Sequence, residues 1–224
     1  MTQPAHTQSD PQASNWIARW QRIARRIRVP LGFLTAALYL FELYRRAPHP
    51  AAVAWSLALV LPGLWLRAYA SGYVKKNREL AVTGPYAHTR NPLYLGSMLI
   101  AAGFALALLS WPVALVLAVG FAVIYVPVIA SEERFLLSAF PAYEGYCRRV
   151  PRLIPRFTPA PHPCDEDLSL GTPARNPEGG SSPGHFSFSL YSQHREYNAG
   201  MGAALLYLLL LLRPLLAAWV NLPR

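Results

Sequence analysis

The sequence predicts an all-α fold: a multi-span helical membrane protein with a core of four helices. Of its 224 residues, 53% are hydrophobic and 14% are charged, and the mean hydropathy is +0.21. Such a composition differs from that of an ordinary soluble domain. Apolar stretches also recur with lengths near the roughly 20 residues that a helix needs to cross a bilayer.

Four of these stretches are predicted to form the core spans. They lie at about residues 31–46, 51–70, 93–110 and 112–130. The last two belong to a segment, Leu93 to Ala130, that contains no Asp, Glu, Lys or Arg. Because Trp111-Pro112 lies near the middle of this segment, a tight turn is expected there, and the two spans should form a helical hairpin.

An arginine lies in the second predicted span and another in the C-terminal apolar stretch. Arg67 is close to one end of the second span, where its side chain can extend into the headgroups. The C-terminal stretch 201–220 is long enough to form a fifth span, although Arg213 and Pro214 interrupt it.

The remaining segments are polar or basic. Residues 1–14 are expected to be disordered, and 15–29, where Trp and Ile recur at helical spacing among arginines, should form a basic interfacial helix. Residues 158–200 are rich in Pro, Gly and Ser and are expected to be a linker to the last span.

A helix is expected to continue from the fourth span on the cytoplasmic side. Within "SEERFLLSAF", the apolar residues Phe135, Leu136, Ala139 and Phe140 fall on one side, which suits packing against the end of the bundle. Pro141 should end or kink this helix.

The net charge of +10 is distributed as membrane orientation requires, which argues against nucleic-acid binding. Basic residues cluster before the first span, between the second and third, and after the fourth, whereas the hairpin turn has none. These segments should face the cytoplasm, which predicts an integral protein of the plasma (inner) membrane. Cys147 and Cys164 fall on that reducing side, so we expect neither a disulfide nor a metal site from them.

Two polar clusters flank the hairpin. The loop "GPYAHTRNPLY", Gly84 to Tyr94, precedes the third span, and Glu132 and Glu133 follow the fourth. Because the two spans form a hairpin, the clusters should be neighbours and should form a mouth at the cytoplasmic surface.

The predicted mouth combines groups that suit a ligand with anionic, aromatic and cationic parts. Asn91 is a possible cap and Pro92 fits a first helical turn, so backbone donors there, together with Arg90, would attract a carboxylate. The rings of Tyr86 and Tyr94 can stack on a base or surround a cation. The glutamate pair can accept hydrogen bonds from hydroxyls or pair with an ammonium or sulfonium group.

Each of these residues also has a structural explanation. Arg90 alone could serve as a topology determinant, and the two tyrosines could belong to an interfacial aromatic belt. The glutamates alone could be the solvated start of a surface helix, and His88 an exposed loop histidine.

Taken in order, the motifs resemble the isoprenylcysteine carboxyl methyltransferase and phospholipid methyltransferase superfamily of integral membrane enzymes. The resemblance covers roughly residues 70–157. The matching positions are Gly84, Tyr86, Arg90, Pro92, Tyr94, Gly96, Glu132, Glu133, Tyr143, Tyr146, Val150 and Pro151. Asn91 stands where the family usually has histidine, and an amide can form hydrogen bonds but cannot transfer a proton.

The resemblance implies a methyltransferase core at 15–157 that binds S-adenosylmethionine and acts on a membrane lipid or lipidated substrate. An isoprenylcysteine-type carboxylate would need no base, whereas a phospholipid amine would need one, for which His88 is the first candidate and Glu133 the second. The implied cofactor-binding residues are Leu80, Ala81, Tyr86, Arg90, Asn91, Pro92, Tyr94, Glu132 and Glu133, and the candidate catalytic residues are Arg90, Glu133 and His88.

Two other functions remain open at this point. Sterol reductases of related membrane architecture carry a similar Arg-His-Pro-type segment and bind a nicotinamide, although they normally have more spans. A membrane scaffold without catalytic activity would be consistent with Asn91.

Overall fold

The computed structural model describes residues 30–74, 80–161, 186–193 and 196–220. The helices are α1 at 30–45, α2 at Pro50–Ser71, α3 at Pro92–Leu108, α4 at Trp111–Ala139, α5 at Tyr143–Arg149, α6 at Phe188–Gln193 and α7 at Tyr197–Val220, and a 3-10 turn at Gly84–Ala87 precedes α3. These ranges contain no strand, so the all-α prediction is confirmed. The N-terminal segments predicted at 1–14 and 15–29 lie outside the described residues.

The chain is a membrane protein. Within the described ranges, three helices are long and apolar enough to cross a bilayer: Pro50–Ser71, Trp111–Ala139 and Tyr197–Leu215. The last of these covers most of the stretch predicted to form a fifth span. The predicted first span at 31–46 is helical over 30–45, but that described helix is not among the three.

The third helix is shorter than the span predicted at 93–110. It has 17 residues, or about 25 Å of helix, against a hydrocarbon core of about 30 Å. Helix α4 has 29 residues, or about 43 Å, so it is longer than the hydrocarbon core. The start of α3 can therefore lie at the depth of the interface, beside the last turns of α4.

The turn between α3 and α4 lies at Leu109 and Ser110, just before the predicted Trp111-Pro112. Leu109 has a left-handed φ of 48° and ends α3. Trp111 and Pro112 instead begin α4, because proline is well accommodated in a first turn, where its missing N–H is not needed. The Ser110 hydroxyl donates to the buried Glu42 carboxylate at 3.1 Å, which fixes the turn to α1.

Helix α4 continues to Ala139 and ends before Pro141, as predicted. Leu136 and Phe140 pack against a buried cluster formed by α5 and the residue after it. Phe135, expected on the same packed side, is 53% exposed, and Ala139 is exposed as well. Two of the four predicted contact residues therefore make that contact.

Helices α2 and α3 approach each other through glycine. A Cβ at Gly63 would lie 2.8 Å from the carbonyl oxygen of Gly96, and a Cβ at Gly103 would lie 2.4 Å from a methyl group of Val60. Small residues allow this approach, which matters because van der Waals packing is a main attraction between helices in lipid.

Helix α7 packs into the bundle. The hydroxyls of Tyr207 and Ser56 are 2.8 Å apart. The buried Arg213 donates to the carbonyl oxygens of Leu43 and Tyr44, each at 3.2 Å. These carbonyls lie in the last turn of α1 and lack helical partners. Arg213 was expected to interrupt the span, but α7 continues through it. The guanidinium is instead hydrogen-bonded inside the bundle, to the two carbonyl oxygens of α1.

The predicted linker, 158–200, contains more structure than expected. Helix α6 and the first turn of α7 fall inside it, and the Ala160 amide donates to the Ala87 carbonyl at 3.0 Å. Phe186, near α6, stacks on Tyr69 of α2, so an aromatic contact anchors this part of the segment. Residues 162–185, including Cys164, lie outside the described residues.

The Gly63→Ala variant should be less stable than the parent by about 1–3 kcal/mol, because the added methyl group would overlap the backbone of α3. The measurement is thermal stability in detergent, followed by size-exclusion chromatography. Gly202→Ala in α7 is the matched control, since nothing lies within 4 Å of a Cβ there. Equal stability of the two variants would contradict the close contact between α2 and α3.

Candidate functional site

A cavity of about 430 Å³ lies where α3 begins and α4 ends. The nine residues that the resemblance assigned to cofactor binding all line it. They are Leu80, Ala81, Tyr86, Arg90, Asn91, Pro92, Tyr94, Glu132 and Glu133. The expectation that the two polar clusters meet in space is confirmed, while the binding of a cofactor by these residues stays a prediction.

The loop reaches the cavity through a turn that requires glycine. Gly84 has a φ of 60°, a conformation that other residues rarely adopt. A Cβ there would also lie 2.6 Å from the Tyr73 ring. This turn leads into the 3-10 turn that places the buried Tyr86 against the cavity.

Glu133 is the centre of the charged groups in the cavity wall. Its Oε1 lies 3.2 Å from Arg90 Nη1 and 3.0 Å from Arg152 Nε, and its Oε2 accepts a hydrogen bond from Arg152 Nη2. The carboxylate is only 10% exposed, and a buried charge of this kind needs paired cations and hydrogen bonds. Hydrogen bonding to Glu133 in turn raises the pKa of Arg152 above its usual value.

Arg152 was not among the candidates from the sequence. It follows the Val150-Pro151 pair that belongs to the motif, and its position directly after that pair was the available signal. The contact itself depends on α5 turning the chain back, so that residues after α5 reach the end of α4.

Arg90 is held on several sides. Its backbone N–H donates to the Pro151 carbonyl at 2.9 Å, and its Nη1 lies 3.0 Å from Sγ of the free thiol Cys147. Its Nε is buried and has no hydrogen-bond partner among the described residues. A buried donor without an acceptor is costly, so an additional acceptor oxygen at this place would be stabilising.

Asn91 and His88 mainly hold the loop together. Asn91 occupies the N-cap position of α3 but makes no side-chain cap, because its Nδ2 donates to the Arg152 carbonyl at 2.9 Å. His88 Nδ1 lies 2.8 Å from the Arg156 carbonyl, so this nitrogen carries a proton and donates it. His88, a candidate base, is not among the residues that line the cavity.

Buried tyrosines form an uncharged wall of the cavity. Burial raises the pKa of Tyr86, with the Glu132 carboxylate adding to the shift. Burial likewise raises the pKa of Tyr143 and of Tyr146, so these phenols stay neutral at physiological pH. The Tyr146 hydroxyl donates to the Tyr86 carbonyl at 2.7 Å and thereby joins α5 to the loop.

Glu132 lies at the exposed rim of the cavity. The Tyr94 hydroxyl donates to its Oε1 at 2.9 Å. The Tyr94 ring meets the Tyr125 ring edge to face, with centroids 5.2 Å apart. Side chains of α3 and α4 therefore connect directly at the rim.

Arg67, which was expected to extend into the headgroups, lines the cavity. Its Nε donates to Glu196 Oε2 at 3.0 Å, and its Nη2 donates to Glu196 Oε1 at 3.1 Å. Its Nη1 donates to the Ser97 hydroxyl. The sequence did not indicate this pair because the partners are 129 residues apart.

Residues 51–142 match the family model described as phospholipid methyltransferase. Curated relatives include the cobalt-zinc-cadmium resistance protein CzcN of Cupriavidus metallidurans, 43% identical over 95 residues. Another is the nickel-cobalt-cadmium resistance protein NccN of Alcaligenes xylosoxydans xylosoxydans, 39% identical over 95 residues. Each match covers 42% of this chain and 43% or 44% of the relative, so the chain spans less than half the length of either one.

No solved structure matches the chain at a significant level. The matched range includes nearly all of α2, the loop, α3 and α4, and it contains all nine of the lining residues named above. It ends before Arg152 and the C-terminal helices. Residues 51–142 are thus similar to the phospholipid methyltransferase family, to the superfamily of which the motifs were predicted to belong.

Proposed function

We propose that this chain is an S-adenosylmethionine-dependent membrane methyltransferase that transfers a methyl group to a lipid-borne acceptor. One observation carries the proposal: the motif residues of the family-matched region converge on one cavity beside the apolar spans. The family match supports the reaction class, and the chemistry of the lining residues supports the cofactor.

The residues present fit this cofactor. A volume of about 430 Å³ lies within the range of roughly 300–1,000 Å³ that small-molecule sites usually have. The buried Arg90 Nε, which has no partner in the part of the chain that the structure describes, suits a carboxylate or hydroxyl oxygen. The Glu132 carboxylate suits an ammonium or hydroxyl group. When bound, S-adenosylmethionine supplies a methyl group on a positively charged sulfur.

The residues of the chain mainly orient the reactants and exclude water. Methyl transfer is an in-line displacement, so alignment and a dry cavity provide most of the acceleration. The neutral rings of Tyr86 and Tyr143 can face a cation. Glu133 has both oxygens engaged by arginines, so we assign it the role of holding Arg90 in place.

An apolar groove supports a lipid acceptor. It has a volume of about 490 Å³ and lies between α3 and α4, with Met98, Leu106 and Leu117 among its lining residues. Phe121 lines this groove and stacks at 4.4 Å on Tyr125, which lines the polar cavity. A prenyl or acyl chain in the groove would therefore leave its polar head beside the motif residues.

The two acceptor chemistries differ in whether a proton must be removed before methyl transfer. A carboxylate attacks with its own oxygen, whereas a protonated amine must first lose a proton. Neither predicted base suits this step, because His88 is not among the residues that line the cavity and Glu133 is paired with two arginines. For an amine acceptor we propose Glu132, which is exposed at the rim.

We propose the inner membrane as the location, with the cavity facing the cytoplasm, because the basic segments flank the end of the bundle that holds the cavity.

The names of the relatives suggest a setting in resistance to heavy metals. A change in membrane lipids would need no metal ligand on the protein. In the described ranges, no group of three or more His, Cys, Asp or Glu side chains could hold a metal ion.

Purified protein in detergent should bind labelled S-adenosylmethionine, and Arg90→Ala and Glu133→Gln should each weaken binding by about 10- to 150-fold. This loss corresponds to roughly 1.5–3 kcal/mol, the scale of a charge-assisted hydrogen bond. Glu144→Gln is the matched control, because its ion pair with Arg148 is exposed, with the glutamate side chain 68% accessible.

Monodisperse elution would establish that the variants are folded before binding is measured. Unchanged affinity in both site variants would remove these residues from the site. Binding of a nicotinamide in place of S-adenosylmethionine would support the reductase alternative, and binding of neither would support a scaffold.

Membranes supplied with methyl-labelled S-adenosylmethionine should yield labelled lipid that depends on the active protein. Mass spectrometry of the lipid fraction distinguishes a methyl ester from an N-methylated headgroup. If the acceptor is an amine, Glu132→Gln should lower the turnover rate about 100-fold or more, in the range of general base catalysis. Label that appears only in water-soluble products would refute a lipid acceptor.

A further inference from the structure

A carboxylate from outside the family-matched domain reaches the cavity wall. Glu196 immediately precedes α7 and lies beyond the matched range 51–142. It binds Arg67 through two parallel hydrogen bonds, with a closest approach of 2.8 Å between Arg67 Nη2 and Glu196 Oε2. The side chains are 24% and 13% exposed, respectively, so the pair is well shielded from water.

Arg67 links this carboxylate to the start of α3. Its Nη1 donates to the Ser97 hydroxyl and lies 3.4 Å from the Leu93 carbonyl oxygen. The stem of Arg67 packs on the α3 backbone, since a Cβ at Gly96 would lie 2.7 Å from Arg67 Cγ. The guanidinium is therefore held at the cavity wall by α3 as well as by Glu196.

The segment around Glu196 is itself anchored on α2. The Ser187 amide donates to the Gly72 carbonyl at 3.0 Å, and the Phe186 ring stacks on Tyr69 with centroids 6.0 Å apart. After Glu196, α7 continues to the contact between Tyr207 and Ser56. The carboxylate is thus presented to Arg67 by contacts on both sides.

The charge balance of the cavity depends on this pair. Among the described residues, the arginines that line the cavity are Arg67 and Arg90. Glu133 pairs with both Arg90 and Arg152, and Glu132 lies at the rim, so these four charges balance without Arg67. Without Glu196, Arg67 would place an uncompensated positive charge in a wall that, under the proposed function, must accept a positively charged sulfonium. Like charges at short range disfavour each other strongly where water is largely excluded.

We propose that Glu196 is a specificity-determining residue that neutralises Arg67 and thereby allows the cavity to accept a cationic ligand. The C-terminal extension would thus supply the negative charge that balances Arg67 in the cavity wall. This inference rests on the proposed function, because it concerns the binding of S-adenosylmethionine.

The test compares two ligands that differ in charge at sulfur. S-adenosylmethionine carries a sulfonium, whereas S-adenosylhomocysteine has a neutral thioether. Glu196→Gln should weaken binding of the first by about 10-fold, the repulsion between two unit charges about 12 Å apart at an effective dielectric constant of about 20, and should change binding of the second by less than about 2-fold. Isothermal titration in detergent measures both affinities.

A merely structural role would weaken both ligands alike. The double variant Arg67→Gln with Glu196→Gln removes both charges, so its affinity ratio for the two ligands should return to that of the parent. Glu144→Gln at the exposed pair is the control. If Glu196→Gln fails to fold, Arg67→Gln takes its place: it leaves the Glu196 carboxylate unpaired, so the affinity ratio should shift in favour of S-adenosylmethionine, and an unchanged ratio would refute the role.

The outcomes separate this inference from the proposed function. If the parent binds S-adenosylmethionine and Glu196→Gln keeps the same ratio, the role of Glu196 is refuted and the methyltransferase proposal stands. A double variant with an altered ratio would refute it as well. If the parent binds neither ligand, both proposals fail together.

Discussion

The buried carboxylate of Glu133 is the interaction on which the site depends. It joins the last turns of α4 to Arg90, which precedes α3, and to Arg152, which follows α5. Desolvation makes a buried carboxylate unfavourable unless cations and donors surround it. One arrangement of these three segments satisfies that requirement, so the pairing favours a single geometry of the loop over many.

Around this centre, most polar residues of the loop bind the chain segment that follows α5. The amide of Arg156 donates to the His88 carbonyl at 2.9 Å, and the Thr89 hydroxyl lies 3.2 Å from the Leu153 carbonyl. Together with the hydrogen bond of Asn91, these contacts hold the loop in a fixed conformation. They also explain why the loop contains so many polar residues. Glu132, Arg90 and the tyrosine rings are then presented to the cavity from a fixed base.

The membrane imposes the complementary constraint. A short α3 and a long α4 bring the motif residues together near the interface, and close glycine contacts hold α2 against α3. The C-terminal helix belongs to the same bundle, because Arg213 caps α1 and Glu196 binds Arg67. Residues beyond the family-matched domain thus support both the fold and the wall of the cavity.

The sequence by itself determined the helical class, the hairpin and the identity of nine residues around the cavity. The class and the hairpin follow from local properties, namely the length of apolar runs and the absence of charge between Leu93 and Ala130. The nine residues were implied by the resemblance of the ordered motifs to a known family. Only the tertiary structure decided that Asn91 and His88 bind carbonyl groups of the segment after α5. It also decided that Arg152 pairs with Glu133 and that Glu196 pairs with Arg67. Those roles depend on partners far away in the chain, and a hydrogen-bond partner is chosen by distance and angle in space, which no local pattern encodes.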